Sequence, residues 1–233
     1  MTSKPRRPER REDALTRELI VNAAITLLDE QGEDGLTFRA LAAQLSTGAG
    51  AIYWHVANKD ELLVAATDLV VSAAIHSDAG IERPKETIRA VAIGVFDAID
   101  AHPWVGAQLA RVPSEAQLAQ EPSQSAMLDI FERIGRALQA LGVPVARQFT
   151  AASALLSYIL GVGSQNAANA RALASGVDRT AYLSATADVW AALDAEKYAF
   201  TRAMAAPLRE HDDRAEYVAG IDLILAGIVT ARK

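Results

Sequence analysis

Leu19, Ile20, Ala23, Ala24, Leu27 and Leu28 recur at the three- and four-residue intervals that line one face of an α-helix. The interval returns in Ile88, Val91, Val95 and Ile99, again from Ile130 through Ile134 to Leu138, and again from Tyr217 through Ile221 to Ile228. Alternating β-branched runs, which would mark half-buried strands, are nearly absent. Alanine is prominent within the 51% of residues that are apolar, and it is the residue that loses least on entering a helix. The expected fold class is therefore all-α, and 233 residues are enough to bury a sizeable core.

Several chemistries are excluded at once. The absence of cysteine rules out a disulfide framework, a thiolate zinc site and a cysteine nucleophile. The start, MTSKPRRPERRED, has no apolar core behind its charges, and no segment approaches the ~18 uninterrupted apolar residues of a spanning helix. The expectation is a cytoplasmic protein with no membrane partner. Net charge is −6, but residues 1–11 carry Lys4, Arg6, Arg7, Arg10 and Arg11 against Glu9 alone. That start reads either as a solvated tail or as an arm lying along phosphates.

Punctuation divides the first third of the chain. Gly32 and Gly35 end the first helix, Thr37 caps a second with Leu41 and Leu45 inward, and Ser46-Thr47-Gly48 breaks it. Ile52, Tyr53 and Val56 fit a third helix of barely two turns, too short to persist unless its predecessors brace it. Asn58 caps a fourth, with Glu61 placed to reach back as a capping-box acid, and Leu62, Leu63, Ala66, Leu69 and Val70 on its inner side. Beyond it, Pro84 opens one helix and His102-Pro103 stops it; Gly142 closes another and Pro144 opens a longer one. The expected organisation is a basic flexible arm over 1–14, a three-helix unit over 15–60, a connecting helix over 61–80 and a larger helical domain over 81–233. Loops are expected at 113–125 and 172–180, and helical stretches at 181–193, at 196–204 and from Asp212 onward.

A short helix held across a tight turn from its predecessor is the geometry of a helix-turn-helix, whose second helix enters the DNA major groove. The stretch GLTFRALAAQLSTGAGAIYWHVANKDELL, residues 35–63, resembles the DNA-binding domain of the tetracycline-repressor (TetR) family. Its Tyr-Trp-His-Val-x-Asn-Lys run is similar to that of the tetracycline repressors themselves. The likeness is close over about residues 16–70 and weaker beyond. It implies operator contacts from Thr37 and Arg39, a phosphate contact from Tyr53, and another from Lys59 at a helix amino terminus, which is already an anion site. At the head of the recognition helix the chain departs from that subgroup, placing Gly48, Ala49 and Gly50 where the subgroup has polar side chains. None of these makes a bidentate base contact, so direct readout falls to Arg39, Thr47 and apolar contact from Ala49 or Ala51 to thymine methyls, with Gly48 counted among the DNA-binding positions and DNA shape supplying the remainder. Trp54 and His55 read as structural, Trp54 as core.

One such module offers few contacts, so specific affinity asks for two half-sites read by a homodimer. Small residues at Ala151, Ala152, Ser157, Gly161, Gly163, Gly220 and Gly227 would let helices of two chains approach closely. The resemblance implies a four-helix interface there, and a small-molecule effector pocket between residues 84 and 204. Pocket candidates mix aromatic walls with a few polar handles: His102, Trp104, Phe131, Phe149, Tyr158, Gln165, Asn169 and Trp190. Magnesium-tetracycline is disfavoured as the effector, since Gln165 and Asn166 stand where an acidic partner would be needed and hard Mg²⁺ prefers charged oxygen. No metal or cofactor is expected. The sequence reading is thus a ligand-responsive transcriptional regulator, a repressor on a palindromic operator and not an enzyme. Its rivals are a helical enzyme, for which neither G-x-S-x-G nor H-E-x-x-H is present, and a pocketless interaction module on the same fold.

Overall fold

The computed structural model describes residues 15–75, 83–111, 125–173 and 178–230, the side chains of 170–173 excepted. The basic arm of residues 1–14, the last residues of the connecting helix expected over 61–80, most of the loop expected at 113–125 and part of that expected at 172–180 lie outside the described residues. Every regular element among the described residues is a helix. The chain divides into two compact units between Ala66 and Thr67.

In the first unit each long helix is started by its own sequence. Thr16 Oγ1 accepts from the Leu19 amide at 3.2 Å and opens α1 (Arg17–Gly35), which buries Ile20, Val21, Ala23, Ala24, Leu27 and Leu28. The turn at Gly32, φ 69°, interrupts α1 before its last residues. Thr37 Oγ1 accepts from the Ala40 amide at 3.1 Å and opens α2 (Phe38–Gln44), whose Leu41 is fully buried. Leu45 is only half-buried. Ser46 follows with φ 52°, the single positive-φ residue other than glycine among those described. Around it the Thr47 amide donates to the Ala42 carbonyl at 2.9 Å and the Ser46 amide to Ala43 at 3.2 Å, the Schellman pattern usually built on glycine.

Helix α3 (Ala49–Tyr53) is only five residues long and has no side-chain cap. Val56, read as part of that helix, lies in the turn beyond it, because the chain tightens after Tyr53 with His55 and Val56 amides donating back to the Ile52 carbonyl. Ile52 and Val56 are nonetheless 0% and 1% exposed, and these two apolar anchors hold α3 in place of the hydrogen bonds it lacks. Helix α4 (Lys59–Ile75) starts with Asn58 Oδ1 accepting from the Glu61 amide at 2.8 Å. Glu61 reaches back as expected but takes the Ala57 amide at 2.8 Å, and its other oxygen meets Arg17 at 3.3 Å. Leu62, Leu63 and Ala66 are buried as the spacing predicts. Leu69, expected inward with them, is 41% exposed, since α4 buries Thr67 and Val71 on either side of it instead.

In the second unit α5 (Pro84–Ala101) is central, packing against α7 (Ala126–Ala140), α8 (Val145–Leu173) and α12 (Asp213–Thr230), while α6 (Trp104–Leu109) packs on α8. Helix α7 has no cap from Ser125. Its first amide, Ala126, donates instead to Asp68 Oδ1 of α4 at 2.8 Å. Gly142, φ 73°, ends α7 as expected. Arg89 pairs with Asp222 and Arg214 with Asp97, tying α5 to α12. Between them Tyr217 is buried, its hydroxyl donating to the Ala92 carbonyl at 3.0 Å, and burial pushes its pKa well above the ordinary tyrosine value, aided by Tyr158 and Asp97. After α9 (Arg179–Ala192), the stretch expected as helix at 196–204 is helical only as α10 (Ala199–Ala203), and a further short helix, α11 (Ala205–Arg209), follows it. Asp194 accepts from the Glu196 and Lys197 amides and so holds the chain in a turn before α10 begins.

The small residues expected at an interchain contact divide into two groups. Ala151 and Ala152 are buried in their own chain, a Cβ on Gly163 would meet Ile99 Cδ1 at 2.5 Å, and one on Gly220 would meet the Tyr158 hydroxyl at 1.9 Å. Those four serve packing within the chain. Ser157, Gly161 and Gly227 are exposed, and nothing stands within 4 Å of where a Cβ of either glycine would be.

Candidate nucleic-acid interface and ligand cleft

The outer surface of α2 and α3 carries the predicted contact residues. Thr37, Arg39 and Gly48 are exposed, and Thr47, Ala49 and Ala51 are half-exposed. Thr37 uses its oxygen as the cap of α2, which leaves its hydroxyl proton for an outside acceptor. Arg39 has no hydrogen bond or ion pair among the described residues. Tyr53 is 54% exposed and its ring lies flat on Phe38, centroids 4.3 Å apart and planes 2° from parallel. That stack removes most of the ring's rotational freedom and aims the phenol from a fixed base. A Cβ on Gly48 or Gly50 would meet nothing within 4 Å, so the chain's own packing does not require glycine at either position.

Two residues depart from the reading. Lys59 does not project: its ammonium donates to the Glu33 carbonyl, joining the start of α4 to the end of α1, and the side chain is half-buried. Trp54, read as core, is 89% exposed, because the turn after Tyr53 swings it away from the buried positions Ile52 and Val56. Its indole stands beside Tyr53 in sequence on the open side of α3. The signal that could have identified it was the spacing itself: with Ile52 and Val56 inward, position 54 faces opposite to both.

The eight pocket candidates make their ring contacts in three separate groups. Trp104 is buried with His102 beside it at 6.0 Å, and Phe131 meets Phe149 edge-on at 6.3 Å although Phe149 is 74% exposed. Tyr158 stacks on Tyr217 at 5.7 Å and donates to the Tyr217 carbonyl at 3.3 Å; burial, then Glu216, raises its pKa. Gln165 and Asn169 are exposed and Trp190 is half-buried. A separate cleft of about 20 Å³ opens between α5 and α8, lined by Phe96, Ile99, Asp100, Gly163, Asn166 and Ala167, none of them among the eight. The Asn166 amide nitrogen is buried there without a hydrogen-bond partner.

Comparison with known proteins places this geometry. Residues 20–66 match the model for bacterial regulatory proteins of the tetR family. A TetR transcriptional regulator of known structure from Streptomyces coelicolor is 50% identical, the alignment covering 94% of this chain and 100% of that one, with a TM-score of 0.82. An HTH-type transcriptional regulator from Saccharopolyspora erythraea is 30% identical over 158 residues, 68% of this chain and 64% of its own length. The class D tetracycline repressor of Escherichia coli is 51% identical over 49 residues, 21% of this chain and 22% of the repressor. The chain thus spans just under two-thirds of the first of these two relatives and about a fifth of the second.

Proposed function

We propose, from the premise that this chain belongs to the tetR family of bacterial regulatory proteins, that it represses transcription as a homodimer on a two-fold symmetric operator and is released by a small molecule. The observation that carries the reading is the arrangement of α2 and α3: apolar anchors at Ile52 and Val56 face inward while Arg39, Tyr53 and Trp54 face solvent around a glycine-lined helix start. A helix of five residues with so little side-chain bulk can approach a groove closely, with Arg39 and Thr47 reading base edges and Tyr53 meeting a phosphate. Trp54 joins this set as an apolar or stacking contact.

Two copies are needed because one module buries too little for specific binding. The outward side of α8 is small and uncharged at Ala154, Ser157, Gly161 and Ala168, and that of α12 carries Ala219, Leu223 and Gly227. Helix α8 is long and apolar enough to cross a membrane by length and composition, with 22% of that window buried in its own chain. A second copy covering both faces accounts for the apolar surface without a membrane, and the protein then works in the cytoplasm. Helix α4 offers the route for release. It begins at Lys59 beside α1, and further along it caps α7 through Asp68 and meets α5 where Gly94 has no room for a Cβ, 2.5 Å from the Ala74 carbonyl. A ligand that prefers one placement of α5 over another shifts α4 by that preference in free energy.

The test is selection of bound duplexes from a random pool by the full chain, followed by a compound screen for release. A symmetric site should emerge, its affinity falling with a logarithmic salt slope near about −5 if each protomer neutralises about three phosphates. Arg39→Ala should weaken it by about 1–3 kcal/mol and relax preference at one position per half-site. Failure to retain any duplex sinks the proposal. A screen that releases no operator would instead favour a second reading, a regulator without an effector.

A further inference from the structure

Phe38 is the first residue of α2, set between Thr37 and Arg39, and it is half-buried where both of those neighbours are exposed. The buried positions of that helix are Leu41 and Ala42. What the Phe38 ring meets is the ring of Tyr53, parallel to within 2° at a centroid distance of 4.3 Å. The contact joins the start of one helix to the end of the next.

Tyr53 needs such a support. It is the last residue of α3, a helix of five residues without a side-chain cap, and the chain turns directly after it. Its ring is exposed and its hydroxyl has no hydrogen bond among the described residues. Its neighbours do not confine it either: Ile52 and Val56 are turned inward, Trp54 is exposed, and Gly50, one helical turn earlier, has no side chain. A ring left to turn about its side-chain bonds gives up that freedom when the hydroxyl meets a phosphate, at a cost of about three- to tenfold in affinity. Stacking on Phe38 removes the freedom before DNA arrives. The surface beneath the ring belongs to the better anchored of the two helices, since α2 is capped by Thr37 Oγ1 and held by Leu41.

We propose that Phe38 is a positioning residue for operator binding: it touches no DNA itself, and by holding the Tyr53 ring flat it sets the direction in which the phenol hydroxyl meets a backbone phosphate. The inference rests on the operator reading above and deepens it. Adjacent residues of α2 then divide the work. Phe38 acts on affinity through a phosphate, which carries no sequence information, and Arg39 acts on sequence preference through a base edge.

The experiment measures the full chain on the symmetric duplex that the selection yields, in a cycle of Phe38→Leu, Tyr53→Phe and the double variant. Phe38→Leu should weaken binding about three- to tenfold at each half-site, hence about ten- to a hundredfold for a dimer, and equally on every single-base variant of the duplex. In the Tyr53→Phe background, where the ring stays and the hydroxyl is gone, the same change should cost less than about twofold. Phe38→Tyr, which restores a flat ring, should recover most of the binding. The free protein gives a reading without DNA: Tyr53 ring-proton shifts should move toward ordinary tyrosine values in Phe38→Leu while the Ile52 and Val56 methyl shifts stay in place. Phe38→Met, apolar and unbranched, repeats the cycle if Phe38→Leu loses α3. A loss of the same size with and without the Tyr53 hydroxyl, or a relaxed preference at the base that Arg39 reads, would overturn the positioning role and leave Phe38 a structural residue of α2. Unchanged binding in Phe38→Leu and Phe38→Met would overturn it too. A parent chain that retains no duplex removes the operator reading and this inference with it; a parent that binds while the cycle shows no coupling removes the inference alone.

Discussion

In the first unit α1, α2 and α4 each begin where the residue just ahead of them says they should; in the second, the start of α7 is decided by an aspartate far away in the chain. Thr16, Thr37 and Asn58 each accept from an amide three residues ahead. The amide of Ala126 is satisfied by Asp68 across a separation of 58 residues, and α5 is joined to α12 by Arg89–Asp222 and Tyr217–Ala92, separated by 133 and 125. The difference teaches where each unit keeps its stability. A unit of short helices can be specified by caps and a few anchors. The larger unit adds ties between segments far apart in the chain.

Substitutions can break or sharpen this contrast. The largest effect should come from Tyr217→Ala, which removes a buried ring, its bond to Ala92 and its stack on Tyr158; we expect a loss of about 3–5 kcal/mol in denaturant unfolding of the second unit. A loss below about 1 kcal/mol would show that the long-range contacts carry less than supposed. Next, Asp68→Ala should cost about 1–2 kcal/mol through the orphaned start of α7, and hydrogen exchange should rise at Ala126 rather than along α4. Thr16→Ala should cost about 1 kcal/mol, with exchange rising only in the first turn of α1. If the Asp68 change loosens α4 and α7 equally, the cap is not what matters. The smallest effect, in Gly50→Ala, separates folding from recognition. The added methyl meets nothing within the chain, so α3 should gain about 0.5–1 kcal/mol, seen as slower amide exchange over residues 49–53. Operator affinity should fall if the glycine serves close approach to DNA; unchanged affinity would mean that α3 lies less deeply in the groove.

The comparison also explains what could be read in advance. The helices of the first unit, their caps and the break at Ser46 follow from local chemistry, and the exposed positions of Thr37, Arg39 and Tyr53 follow from the same pattern. Trp54 is exposed despite its apolar ring, because its angle from Ile52 and Val56, and not its hydrophobicity, sets the side it faces. Lys59 was assigned an outward role from resemblance, and only the folded chain brings it to the Glu33 carbonyl. In the second unit the type of an aromatic or polar side chain does not say which others it converges with. Residue types that looked ordinary, Phe96, Asp100 and Asn166, line the cleft.

By itself the amino-acid order determined the helical class, the element starts set by neighbouring caps and the short helix between two turns, because those depend on interactions a few residues long. Tertiary structure alone decided which small residues are consumed by packing within the chain, which side of α8 stays open, and that Asn166 is buried without a partner. Each of these depends on how whole helices pack against one another, and no local propensity encodes such a distance.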